Sequence, residues 1–211
     1  QSVVSFPDFL RERGIVAIEG VDTRALTLRI REGGAMRAAI STLDLDRESL
    51  VERVRASEHI ADHNYVADVS TPEPYDVHAP SPDHAYRVVA YDCGEKAGIA
   101  KRLAEAGCEV TVVPWDTTAE EALSYEPDGV FFSNGPGDPV SVPETVEAVR
   151  ALLGRLPVFG ICLGNQVISM AAGALIEKLP YGHHGGNEPV MNLLTVKVEI
   201  PALNQNYGPV F

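Results

Sequence analysis

The stretch Val158-Phe159-Gly160-Ile161-Cys162-Leu163-Gly164 decides the fold, because it joins a short apolar strand to a helix through a Gly-x-Cys-x-Gly turn. This turn is the thiol counterpart of the Gly-x-Ser-x-Gly elbow, which lifts a nucleophile above a sheet. A helix N-terminus favours a thiolate, and the Leu163 amide is expected to face the oxygen of a tetrahedral intermediate. We therefore predict Cys162 as a nucleophile. Cys93 and Cys108 do not lie in a Gly-x-Cys-x-Gly turn, so core packing or partial exposure is the better interpretation for both.

Short apolar runs alternate with helical patterns on both sides of this turn. Strands are predicted at residues 87–91, 109–113, 129–132 and 157–161, and helices at 97–106, 119–124, 144–153 and 163–172. Such alternation is typical of an α/β fold, a parallel sheet with helices on both faces. Ligands of these sheets bind beyond the carboxyl ends of the strands.

The composition changes at residues 72–86, where four prolines stand among polar residues. Proline removes a backbone donor and blocks helix formation, so we predict a linker there. It would join part of a small α+β domain at residues 1–71 to an α/β domain at 87–211. In the small domain, short strands are expected at 15–18 and 38–41 between helical patterns.

A second motif, Ser133-Asn134-Gly135-Pro136-Gly137-Asp138-Pro139, follows the predicted strand at 129–132. Gly135 and Gly137 permit close approach of the backbone to a ligand, and Pro136 stiffens the loop between them. An ordinary turn would use the same residue types. Its place beside the cysteine turn favours the other wall of one pocket.

Charge and length exclude several classes of protein. The 211 residues contain 17 Lys+Arg and 30 Asp+Glu, a net charge of −13, which argues against a nucleic-acid partner. No apolar run approaches the roughly 20 residues of a membrane helix, and no signal-peptide pattern begins the chain. Three cysteines are too few for a disulfide framework. A cytoplasmic protein with reduced thiols and no membrane partner is the simplest expectation.

The histidines form no obvious site. His59 and His63 stand four residues apart, a spacing that metal sites use, but a solvated face explains them better and no metal site is expected. His183 and His184 lie in a glycine-rich loop and are weak candidates for a catalytic base. The other two histidines lie in the predicted linker.

Together, the glycine loop and the cysteine turn resemble the class I glutamine amidotransferases. Three further stretches, at residues 20–26, 89–94 and 182–187, resemble the small chain of carbamoyl-phosphate synthase, and the resemblance covers essentially the whole chain. It implies hydrolysis of L-glutamine to glutamate and ammonia. The ammonia would pass to a large synthetase subunit that uses ATP, in pyrimidine or arginine biosynthesis, and this chain itself would need no cofactor.

The resemblance also implies roles for individual residues. Cys162 would form the glutamyl thioester, and Gly135 and Leu163 would supply oxyanion donors. The residues that would line the glutamine site are Gly135, Gly137, Leu163, Gln166, Asn206 and Gly208.

The sequence departs from the family in several places. The His-Pro-Glu motif that supplies the base and its orienting residue does not occur before Phe211, so we expect either a fragment or a degenerate gene product with negligible activity alone. Asn165 replaces a histidine, and Asn206-Tyr207-Gly208-Pro209 replaces Asn-His-Gly-Phe. Because proline has no N–H, a substrate contact from Pro209 is lost.

Two other hypotheses remain open. A catalytically incomplete domain could bind or regulate a synthetase partner, which the missing triad residues favour. A glutaminase of anthranilate or GMP synthase is less consistent with residues 1–71 and with the His-His-Gly-Gly loop. Trapping by a glutamine analogue such as a diazo-ketone separates the active enzyme from the silent domain.

Overall fold

The structure is a computed structural model that describes residues 4–81 and 85–210, and the chain divides into two units, residues 1–59 and 60–211. The expected linker at 72–86 contains the gap, so His84 lies outside the described residues. The division falls before the expected linker rather than within it.

Three helices make up the regular structure of the described part of the first unit: α1 (Phe6–Glu12), α2 (Thr23–Gly33) and α3 (Arg47–Ala56). Each begins after a residue whose side chain accepts a backbone N–H, namely Ser5, Asp22 and Asp46. The strands expected at 15–18 and 38–41 are not formed among residues 4–59, where Ile18 and Ile40 are exposed. Apolar β-branched residues favour a strand only where a neighbouring strand pairs with them, and no such partner lies among these residues.

The second unit contains a five-stranded sheet. Its strands are β1 (Tyr75–Val77), β2 (Tyr86–Asp92), β3 (Cys108–Pro114), β4 (Gly129–Phe132) and β5 (Val158–Gly160). The order is β1-β3-β2-β4-β5, with β1 antiparallel to β3 and all other neighbours parallel. The predicted parallel sheet is confirmed, and the predicted strands agree with the observed ones to within one residue at most ends.

The described part of this unit contains five helices: α4 (Tyr65–Val69), α5 (Gly98–Glu105), α6 (Ala119–Ser124), α7 (Pro143–Leu152) and α8 (Leu163–Ala171). Two single 3₁₀ turns span Ile60–Asp62 and Pro139–Ser141. The sequence encodes the start of α6 clearly, since Thr118 and Glu121 form a reciprocal capping box.

The central strands β2, β3 and β4 place buried side chains alternately on both faces of the sheet. Tyr91 and Phe132 stack on one face, at 4.5 Å between ring centroids, in a core that includes residues of α6, α7 and α8. Ala90 and Phe131 belong to a second core, which includes Ala100 of α5. Helices therefore cover both faces, as predicted.

The segment expected as a linker contributes β1 to the sheet edge. Its three residues contain no proline and pair with Val110–Val112 of β3, while Thr111 Oγ1 donates to Asp76 Oδ1 at 2.8 Å. A short edge strand tolerates prolines on either side, since only one of its edges needs backbone donors. For this reason the proline content of the segment did not exclude a strand.

Beyond α8 the chain forms antiparallel pairs that the sequence did not predict. They are β6 (Leu175–Gly185) with β9 (Leu203–Val210), and β7 (Val190–Asn192) with β8 (Lys197–Glu199). The β6–β9 register shifts between Lys178 and His183. Among the described residues, no helix is long and apolar enough to cross a membrane.

Candidate active site

Cys162 lies at the tip of a strained turn between β5 and α8. Its φ of 54° and ψ of −108° place a non-glycine residue in a region that L-amino acids rarely adopt. The flanking glycines have no room for a side chain. A Cβ on Gly160 would lie 2.7 Å from the Gly164 carbonyl oxygen, and one on Gly164 would lie 2.6 Å from the Phe132 carbonyl carbon. The turn is thus the nucleophile elbow that the sequence predicted.

The loop after β4 packs directly against this turn. A Cβ on Gly135 would lie 2.7 Å from Leu163 Cδ2 and would collide with the Cys93 carbonyl oxygen. The Ser133 hydroxyl accepts the Cys93 N–H at 2.9 Å, and the Gly164 N–H donates to the Ser133 carbonyl at 3.0 Å. The carboxyl ends of β2, β4 and β5 therefore meet at one place.

Asn134 ties this loop to the segment after β2. Its Nδ2 donates to the Gly94 carbonyl at 3.1 Å, and its Oδ1 accepts the Lys96 N–H at 3.2 Å. Two bonds from one side chain fix the glycine loop relative to β2. Because the chain runs from β2 to β3 on one side and then to β4 on the other, the crevice between β2 and β4 is a topological switch point.

Opposing effects act on the pKa of the Cys162 thiol. Burial raises the pKa of the thiol, and hydrogen bonds from the backbone amides of Leu163 and Gly135 oppose that rise without reversing it. Loss of water around the sulfur is therefore the largest of these effects on the pKa, and stabilisation of a thiolate by the helix N-terminus stays a prediction. The sulfur also donates to the Asn204 carbonyl at 3.4 Å.

The other two cysteines lie elsewhere. Cys93 is fully buried, and burial raises its pKa to about 12. Cys108 is partly buried at the start of β3.

A cavity of about 450 Å³ opens beside Cys162, within the usual range of about 300–1,000 Å³ for small-molecule sites. Four residues that the resemblance assigned to the glutamine site line it together with Cys162: Gly135, Gly137, Gln166 and Asn206. Leu163 and Gly208 do not line it, although the Leu163 amide reaches the sulfur. Gly208 is buried in β9, opposite Glu177 of β6.

Gln166 connects α8 to β9. Its side chain is 4% exposed, and its Nε2 donates to the Tyr207 carbonyl at 2.8 Å. Tyr207, which replaces the family's histidine, is 5% exposed, and its hydroxyl lies near the Asp138 carboxylate. Burial raises the Tyr207 pKa to about 12, with a further contribution from the negative charge of Asp138.

Several polar residues that line this cavity received no role from the sequence, among them Lys96, Asn134 and Asn204. Asn134 lay inside a quoted motif without an assigned role. Asn204 contacts the Cys162 sulfur through its backbone carbonyl oxygen. Every residue has this group, so the residue type could not have indicated the contact. The alternation Asn204-Gln205-Asn206 could have indicated that both amides share one face of a strand.

No histidine that the structure describes lines the cavity. His184 bonds to Asn204 and Asn206, which do line it. His63 pairs with Asp68 at 2.6 Å. No group of three His, Cys, Asp or Glu side chains suited to a metal ion is found in the described part of the chain.

The sequence matches two described families. Residues 89–207, more than half of the chain, match "Glutamine amidotransferase class-I", and residues 1–40 match "Carbamoyl-phosphate synthase small chain, CPSase domain". A solved structure from Thermoplasma acidophilum, provisionally named as part of a GMP synthase, superposes with a TM-score of 0.51 at 23% identity. The match covers 60% of this chain and 68% of that one, and it supports the fold alone.

Curated relatives cover nearly the whole chain. The carbamoyl phosphate synthase small chain of Bacillus cereus is 46% identical over 205 residues, 97% of this chain and 54% of its own length. That of Syntrophotalea carbinolica is 42% identical, covering 99% and 58%, and the chloroplastic one of Arabidopsis thaliana is 44% identical, covering 95% and 49%. The chain spans about half the length of the relatives it matches. With the nucleophile elbow and the matched residues 89–207, it belongs to the class-I glutamine amidotransferase family.

Proposed function

We propose that this chain is the nucleophile-bearing portion of a glutamine-hydrolysing subunit that supplies ammonia to a carbamoyl-phosphate synthase large subunit. The observation that carries the proposal is the strained elbow, where Cys162 has a φ of 54° and two backbone amides reach its sulfur. Similarity to small chains over 95–99% of the chain supports the same assignment.

The proposed reaction begins with attack of the Cys162 thiolate on the carboxamide carbon of L-glutamine. A carbon–sulfur bond forms, and the carbonyl oxygen becomes an oxyanion beside the amides of Gly135 and Leu163. The carbon–nitrogen bond then breaks, and the amine leaves as ammonia after it receives the proton that the thiol lost on forming the thiolate. Water hydrolyses the thioester to glutamate, and the free thiol returns.

The cavity residues are suited to holding glutamine in that geometry. Gly135 and Gly137 leave backbone donors uncovered, while Gln166 and Asn206 offer amide groups that can both donate and accept. Positioning of this kind contributes much of the rate of a two-reactant step, since the reacting atoms must lie about 3–3.5 Å apart. The ammonia would pass to a large subunit that binds ATP, so this chain needs no cofactor for its own step. Pyrimidine or arginine biosynthesis would consume the product.

The experiment is covalent trapping with 6-diazo-5-oxo-L-norleucine, a diazo-ketone analogue of glutamine. A carbon–sulfur bond to the analogue forms as N₂ leaves, and intact-mass and peptide analysis locate the adduct. We expect saturable labelling of Cys162 that L-glutamine slows and that Cys162→Ser abolishes. Labelling that is linear in analogue concentration and indifferent to L-glutamine would contradict a glutamine site.

A second function, a catalytically silent domain that binds or regulates a synthetase, is favoured by one observation. The described lining of the Cys162 cavity includes no histidine, and the family's histidine positions are occupied by Asn165 and Tyr207. For this function we expect neither saturable analogue labelling of Cys162 nor turnover, even when a large subunit is added. Release of ammonia on adding that subunit would exclude it.

A further inference from the structure

Strands β6 and β9 place His184 against two asparagines. His184 and Asn204 are directly opposite in the antiparallel register, and the His184 Nδ1 lies 2.8 Å from Asn204 Oδ1. The other ring nitrogen, Nε2, lies 3.2 Å from Asn206 Oδ1. The two asparagines are two residues apart and therefore share one face of β9. One imidazole thus joins both amides of that face.

The backbone next to His184 is shaped to admit this ring. Gly182 has a φ of +71°, and a Cβ there would lie 2.6 Å from His184 Nε2 and 2.7 Å from Asn206 Oδ1. The same Cβ would lie 2.5 Å from the Gln205 carbonyl oxygen. A side chain at position 182 would therefore occupy the space in which the ring meets Asn206. The glycine at position 182 thus supports the contact between His184 and Asn206 independently of the hydrogen bonds.

The joined asparagines lie beside the nucleophile. The Asn204 carbonyl accepts the Cys162 thiol at 3.4 Å, and both Asn204 and Asn206 line the cavity. On the other side of Asn206, Gln166 holds the Tyr207 carbonyl at 2.8 Å. The cavity wall formed by β9 is thus fixed by α8 at Tyr207 and by β6 at residues 204 and 206.

We propose that His184 is a positioning residue of the Cys162 site, whose ring holds Asn204 and Asn206 in place beside the sulfur. The inference deepens the proposed function and rests on it for the identity of the ligand, L-glutamine. Without the ring, Asn206 would be free to take other rotamers, and the ligand would have to order it on binding. Loss of the ring should therefore weaken ligand binding and leave the reactivity of the Cys162 sulfur unchanged.

Two features separate this role from catalysis and from general stability. Both ring nitrogens are engaged by asparagine amides, each of which can present an oxygen or an NH₂ group, so a neutral ring satisfies both contacts. His184 and Asn204 are also exposed, and exposed hydrogen bonds contribute little to the free energy of folding. Loss of the ring should therefore leave the fold intact.

The test compares inactivation by 6-diazo-5-oxo-L-norleucine in His184→Ala and His183→Ala. His183 is the adjacent residue on the same strand and faces the opposite side of it. For His184→Ala we expect about a tenfold rise in the concentration that gives half-maximal inactivation, with the maximal rate constant within about threefold of wild type. His183→Ala should leave both constants unchanged. Gly182→Ala should reproduce the His184→Ala effect with the histidine still present.

Equal effects of the two histidine substitutions, or a change confined to the maximal rate constant, would overturn the proposal. Nuclear magnetic resonance gives a readout that needs no glutamine analogue. The side-chain NH₂ signals of Asn204 and Asn206 should shift in His184→Ala and not in His183→Ala. If wild-type protein binds no analogue, the proposed function fails, and these signals still decide whether His184 holds the two amides. Unchanged signals would overturn the positioning role by themselves.

Discussion

Gly164 packs so closely on Phe132 that a Cβ at position 164 would lie 2.6 Å from the Phe132 carbonyl carbon and nearer still to its oxygen. The contact joins the start of α8 to the end of β4. Gly164→Ala should therefore push the elbow away from the sheet. We expect a loss near the top of the range of about 1–3 kcal/mol that overpacking costs, measured by chemical denaturation. Diazo-ketone labelling of Cys162 should fall as well.

Gly98 offers the matched control for that substitution. It begins α5, has no heavy atom within 4 Å of an added Cβ, and has no strained φ. Gly98→Ala should leave stability unchanged or raise it by up to about 1 kcal/mol, since alanine is the better helix former. Equal stability of the two alanine variants would mean that the elbow does not need a glycine at position 164.

The same contact explains why the sequence predicted the elbow so well. Gly160, Cys162 and Gly164 are close in sequence. The steric reason for Gly160 lies in the following helix, and that for Gly164 lies in β4, and the alternation predicted both elements. Sites that depend on strand pairing were harder to predict. The joining of His184 to Asn204 requires the β6–β9 register. The apolar alternation within residues 182–206, at positions 196–200, falls at β8 and does not reveal that register.

The sequence predicted strands at 15–18 and 38–41 that are not formed, and it did not predict β1, which is formed. Residues 15–18 have the composition of a strand but no partner among residues 4–59, so composition alone was misleading. Residues 75–77 stand among prolines yet pair with β3, because an edge strand of three residues needs few donors. Pairing is a property of the whole fold, which a local pattern does not contain.

Gln166→Leu tests the link between α8 and β9. The substitution keeps the side-chain volume and removes the donor to the buried Tyr207 carbonyl. Loss of a donor to a buried acceptor costs about 1–3 kcal/mol, so the free energy of unfolding should fall by that amount. Asn165→Ala, at the exposed neighbouring position, should change it by less than about 0.5 kcal/mol. Similar losses in both variants would assign the effect to the helix rather than to the hydrogen bond.

Stability at alkaline pH should depend on Cys93. Burial raises its pKa from 9.0 to about 12, so the unfolded chain releases the thiol proton near pH 9 while the folded chain keeps it. The unfolded state then binds fewer protons, and stability falls as pH rises from about 9 toward 12, by up to about 1.4 kcal/mol per pH unit. Below pH 9 both states hold the proton, and this contribution is fully present.

Cys93→Ala should flatten that decline, as measured by urea denaturation at successive pH values. Val89→Ala, at another fully buried position of the same sheet, is the control for lost packing. It should lower stability at every pH by a similar amount without changing the slope. Tyr91 remains in both variants, and burial raises its pKa too, so part of the decline will persist. An unchanged slope in Cys93→Ala would contradict the assignment.

Cys162 should be the thiol that iodoacetamide labels first. It is half-buried beside an open cavity, and two backbone amides reach its sulfur, whereas Cys93 is fully buried. Burial raises the Cys162 pKa, so little thiolate is present at neutral pH, but the adjoining cavity gives the reagent access to the sulfur. The rate should rise about tenfold per pH unit until the pKa is reached. Peptide mapping after brief labelling measures the order, and earlier modification of Cys108 or Cys93 would contradict it.

This chain alone should hydrolyse glutamine at a negligible rate, although Cys162 is predicted to be its most reactive thiol. A positioned base contributes about 10²–10⁴-fold to such a reaction, and the described lining of the Cys162 cavity includes no histidine. Oxyanion donors alone can leave a trace of activity, so the measurement is a glutamate-release assay run beside Cys162→Ser. We expect a rate within about tenfold of that variant. Robust turnover lost in Cys162→Ser would mean that a base within the chain reaches the sulfur. His184, one asparagine away from it, would then be the first residue to substitute.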